Sequence, residues 1–78
     1  MDVESRAAAV NDSLDNLRRQ QAGQGYGLRG DISSTQEMMK THLARAQAAL
    51  QSKDAKGAKK YSDMAEADVE KLEKFLGR

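Results

Sequence analysis

The chain has 78 residues, 13 basic and 12 acidic, for a net charge of +1. That size fits one small domain or a piece of a larger protein, and the near-neutral balance excludes a global attraction to nucleic acid or to an anionic membrane. Cysteine is absent, which excludes disulfides and thiolate metal sites and leaves oxidising and reducing compartments equally open.

Proline is also absent, aromatics are three and alanines twelve. This mix favours helix over sheet, because β-branched and aromatic residues are scarce. No apolar run approaches the length of a membrane span, and the N-terminus lacks the basic-then-apolar order of a signal peptide. The expected fold class is all-α: an antiparallel helical hairpin plus a third helix, forming a three-helix bundle or a dimer of such chains.

Residues 2–22 form the first predicted helix. Val3, Ala7, Val10, Leu14, Leu17 and Gln21 are spaced 4, 3, 4, 3, 4, the seam of a helix that packs on a helix. Asp12 and Asp15 stand at helical spacing from Arg18 and Arg19, with Asp15 and Arg19 four apart.

Residues 23–30 break the period with four glycines in eight positions. Each costs a helix roughly 1 kcal/mol relative to alanine. Gly23 reads as a C-terminal cap and Asp31, or Ser33 with Gln36, as the next N-cap. Gly25-Tyr26-Gly27-Leu28-Arg29-Gly30 matches G-x-G-x-x-G, but a dinucleotide site needs a strand before it and a βαβ unit around it. A heptad helix precedes it here. Arg29-Gly30-Asp31 is the letter pattern of an adhesion triplet. Its bland reading is a loop end with Asp31 as cap.

Residues 31–52 form the second predicted helix, with Ile32, Gln36, Met39, Leu43, Ala46 and Leu50 on one face. Asp54 is an N-cap for the third, residues 55–76, whose inward face is Ala58, Tyr61, Ala65, Val69, Leu72 and Leu76. Gly77 is its C-terminal cap. The break between these helices is so short that they must be antiparallel neighbours. Met38, Met39 and Met64 are expected to fill a thin core. The only histidine, His42, has Arg45 and Ala46 at the next two ligand spacings, so no local metal site exists; it reads as a boundary residue.

Residues 44–66 resemble a tetratricopeptide-type helical hairpin, through Ala46, Ala49, Leu50, Asp54, Ala58, Tyr61 and Ala65. The resemblance implies a packed αα-hairpin and a protein-interaction role. No glycine precedes Asp54, and a second copy at a period of ~34 residues is missing, so a peptide groove of stacked repeats is not implied.

No Ser-His-acid arrangement surrounds the single histidine, and the carboxylates lie among lysines on solvated faces. The expected function is therefore a non-catalytic helical interaction or assembly module without metal, cofactor or small-molecule ligand. Val10, Leu14, Leu17, Met39, Leu43, Tyr61 and Leu72 are the expected contact residues, toward a protein partner or a second copy of the chain. The alternative is a small nucleic-acid-associated protein using Arg18, Arg19 and the cluster of Lys53, Lys56, Lys59 and Lys60. Against it stand the lack of stacking aromatics other than Tyr61 and the interleaved Asp54 and Asp63.

Overall fold

A computed structural model describes residues 2–23 and 30–77. Three helices follow one another: α1 over Val3–Gly23, α2 over Gly30–Gln51 and α3 over Ala55–Phe75. They form an all-α bundle, elongated to 46 × 20 × 17 Å. Every boundary but the start of α3 differs from expectation by one residue. Gly23 and Gly30 are helical, at the end of α1 and the start of α2. The rest of the expected glycine loop, residues 24–29, lies outside the described residues. So do Arg29 of the triplet and most of the G-x-G-x-x-G match.

Asp2 opens α1. Its Oδ1 accepts from the Ser5 amide at 2.7 Å, and its carbonyl accepts from the Arg6 amide at 3.1 Å. The bond from the Ser5 amide holds the Asp2 carboxyl below its ordinary value of 3.8. Asp31 does not cap α2 as the sequence suggested. It sits inside the first turn, where its charge complements the helix dipole, and its carbonyl accepts from Thr35 Oγ1 at 2.8 Å. Ser33 and Gln36 also lie within α2 rather than at its cap.

The α2–α3 turn is closed by the backbone. The Lys53 amide donates to the Leu50 carbonyl at 3.0 Å, and the Asp54 amide to the Ala49 carbonyl at 2.8 Å. These two bonds make a Schellman ending, which places its next residue in the left-handed region, a position usually held by glycine. Here it is Lys53, with φ 59°. Asp54 then caps α3 as expected, its Oδ1 accepting from the Gly57 amide at 3.0 Å. A Cβ at Gly57 would collide with that carboxylate, so the glycine keeps the cap closed. At the far end Gly77 is left-handed, φ 79°, and its amide donates to the Lys74 carbonyl at 3.1 Å.

The helical periods decide what is buried. Ala7, Val10 and Leu14 of α1 meet Ile32 and Met39 of α2 and Val69 and Leu72 of α3 in one cluster, flanked by Val3, Leu43, Phe75 and Leu76. Between α2 and α3 the buried side chains include Ala46, Ala49, Ala58 and Ala65. Their small size lets the two backbones approach closely, so α2 and α3 form the tightest pair. Of the three methionines expected in the core only Met39 is there. Met38 and Met64 are 50% and 39% exposed, because they fall off the inward stripe of their helices.

Polar contacts set how α1 lies on this hairpin. Gln36 occupies a core slot and is fully buried. Its Oε1 accepts from Arg18 at 2.9 Å, and its Nε2 donates to Asn11 at 2.7 Å and to Asp15 at 3.4 Å. Every polar atom of the buried amide is thus paired, which such burial requires. Arg18 turns to Asp15 at 3.9 Å and Arg19 to Asn16 at 2.8 Å, so the expected Asp15–Arg19 pairing gives way to this network. On α3, Glu73 receives two bonds from Arg6, at 2.7 and 3.3 Å, and this raises the Arg6 guanidinium further above its ordinary value. Glu4 accepts from Gln47 at 3.0 Å. Together these contacts run α1 antiparallel to α2 and parallel to α3.

Candidate interaction surface

That register leaves one end of the bundle two helices thick. Glu4, in the first turn of α1, lies beside Gln47 of α2. Among the described residues, no third helix covers the last turn of α2, the connecting turn and the start of α3, and α1 reaches this end only through Glu4 at the groove's rim. Leu50 falls in this stretch. Its spacing places it on the inward face, yet it is 64% exposed. The cause is geometric: the face points toward α1, and α1 begins too late to cover it.

Leu50 borders a groove of about 280 Å³ whose apolar walls are Leu43, Ala46, Leu50 and Ala58. Glu4, Gln47, Lys59 and Ser62 form its rim. A smaller hollow of about 120 Å³ adjoins it on the other side of Leu50, bounded by Lys53, Asp54 and Ala55.

The charge around these hollows is uneven. Glu4 accepts from Gln47, Asp54 is committed to its cap, and Asp63 pairs with Lys59 at 3.0 Å. Lys53 and Lys56 are exposed, with no carboxylate partner among the described residues. Lys60 lies over the Tyr61 ring, 5.5 Å from its centroid. Lysines at the start of a helix oppose its dipole, which favours acidic residues there by a few tenths of a kcal/mol to about 1 kcal/mol each. The first turn of α3 has no acidic residue. This end of the molecule therefore presents an apolar groove in a positive surround, at some local cost to α3.

The expected contact residues divide between core and boundary. Val10, Leu14, Met39 and Leu72 are fully buried within the single chain. Leu17, Leu43 and Tyr61 are partly buried, and of these only Leu43 lines the groove. Tyr61 belongs to a separate cluster on the α2–α3 seam. His42 stacks on it, with ring centroids 6.5 Å apart, and Arg45 lies 5.7 Å from its centroid. His42 Nδ1 is 2.6 Å from Asp68 Oδ2, the two side chains being 12% and 13% exposed. This pairing joins α2 to α3 and brings no nucleophile with it. No cluster of three potential metal ligands occurs among the described residues. No helix there is long and apolar enough to cross a membrane.

The sequence pattern marked Leu50 as apolar and periodic, but could not show that it is uncovered. The first two predicted helices, residues 2–22 and 31–52, are nearly equal in length, so no count of turns signals the uncovered stretch.

Comparisons with protein-family models, with curated proteins and with solved structures find no match to this chain.

Proposed function

We propose that the chain is a non-catalytic helical interaction module that docks a protein partner at the open end of its α2–α3 hairpin. One observation carries this reading: Leu50 stands exposed beside a groove walled by Leu43, Ala46 and Ala58. A large aliphatic side chain facing water next to an unfilled apolar groove marks a surface whose burial is left to another molecule. The resemblance of residues 44–66 to a tetratricopeptide-type hairpin supports an interaction role by analogy. Self-association through the Val10–Leu14 seam is less economical, because those side chains are buried in the single chain and α1 would first have to leave the hairpin.

Site-specific crosslinking tests the proposal. A photo-crosslinking residue replaces Leu50 in one protein and the exposed Met38 in another. Adducts are expected from position 50 alone, resistant to nuclease and competed by excess unlabelled chain but not by Leu50→Asp. Equal labelling from both positions, or adducts that nuclease removes, would overturn it.

A further inference from the structure

The partner's chemistry can be read from the tip of the hairpin, if the docking surface proposed above is accepted. We infer that the groove takes an acidic peptide segment carrying a large apolar anchor. The anchor would enter beside Leu50, and its flanking carboxylates would meet Lys53 and Lys56.

Three arguments bear on this occupant. The first is charge. Lys53 borders the smaller hollow and Lys56 follows it in the first turn of α3, both exposed and without a carboxylate partner among the described residues, whereas Lys59 and Asp63 pair with each other and Asp54 holds its cap. An acidic segment meets complementary potential there; a basic one meets repulsion. The second is backbone conformation. Lys53 is the one non-glycine residue with positive φ among the described residues. A left-handed lysine is strained, and strain at an otherwise regular turn points to a use for that side chain. The third is symmetry. In a two-fold pairing of one tip with another, each contact occurs twice, so the lysines of both copies would face one another. The charges that attract an acidic partner thus weigh against a second copy in this arrangement.

Nucleic acid also meets lysines, but it is held through its phosphates and has no need of Leu50. That difference separates the two partners.

Short random peptides displayed on phage are selected on the full chain, with Leu50→Asp as counter-selection. Leu50, Lys53 and Lys56 are exposed, and circular dichroism checks that each variant keeps its helix content. The selected peptides are expected to combine a Leu, Met, Phe or Trp with several Asp or Glu. Synthetic copies are expected to bind Lys53→Glu/Lys56→Glu about tenfold or more weakly than the unaltered chain. Their affinity should fall from 0.1 to 1 M salt, as the screening length shrinks from about 10 to about 3 Å. Peptides enriched for apolar residues without acidic ones would overturn the inference and leave the docking surface standing. No enrichment over Leu50→Asp would overturn both. A short single-stranded DNA that binds the chain, still binds Leu50→Asp and fails on Lys53→Glu/Lys56→Glu would assign the lysines to nucleic acid instead.

Discussion

Lys53 carries a conformational cost that its neighbours do not. An L-residue in the left-handed region is disfavoured by about 1–2 kcal/mol, whereas glycine is not, though glycine gives back part of the gain in the unfolded chain. Lys53→Gly is expected to stabilise the protein by about 0.5–1 kcal/mol, raising Tm by about 2–8 °C for a domain of this size. The same substitution should weaken binding of an acidic peptide, so stability and affinity move in opposite directions. Asp2 offers a test through pH. Its folded-state carboxyl lies below the ordinary value of 3.8, because the Ser5 amide donates to the ionised form. The capping contribution is therefore fully present above pH 3.8 and lost as pH falls through the lower folded value. Asp2→Asn keeps a capping oxygen but does not titrate. Denaturation midpoints of the two proteins, compared from pH 6 downward, should converge or cross only below pH 3.8; a constant difference would show that the cap carries no charge dependence.

At the level of the helices, packing between α2 and α3 depends on what is small, and packing of α1 depends on what is polar. Ala65 is fully buried. Ala65→Leu adds volume where the hairpin has no room, and is expected to destabilise by about 1–3 kcal/mol in chemical denaturation. An unchanged midpoint would mean that the hairpin relaxes freely around it. Gln36→Ala strips the buried amide from Asn11, Asp15 and Arg18 and leaves their groups to find water. A loss of about 1–3 kcal/mol is expected, and Arg18→Ala in the Gln36→Ala background should cost less than in the unaltered chain. These two cases differ in how visible they are in sequence. Ala46, Ala58 and Ala65, with Val10, Leu14, Val69 and Leu72, repeat at helical spacing, so these buried positions were readable from period alone, whereas Ala49 is buried where the period pointed to Leu50. Gln36 also stood on that period, but a glutamine there reads as a gap in the stripe. Its partners lie more than 17 positions away, and no local pattern announces them. Asp68 is equally distant from His42, so the sequence showed the histidine without its partner. Leu50 was legible as apolar and not as exposed, because its exposure depends on the register between two helices.

In the whole molecule, the parallel run of α1 and α3 has a mechanical consequence. α1 and α3 run in the same direction, so Asp2 leads into the start of α1 while Gly77 follows the end of α3. Tension applied between Asp2 and Gly77 draws α1 and α3 past each other along their common axis. The Arg6–Glu73 bonds and the contacts around Val10 and Leu14 then resist together rather than one after another. Tension between Gly30 and Gly77 acts at a single end, where α2 starts and α3 finishes, and opens the hairpin pair by pair. Single-molecule pulling through handles at these positions should give a higher rupture force for the first pair than for the second, and Arg6→Ala should lower only the first. Equal forces would mean that α1 yields before its contacts share the load. The same connectivity resists a pull that shears α1 along α3 and yields to one that pries apart its two closest helices.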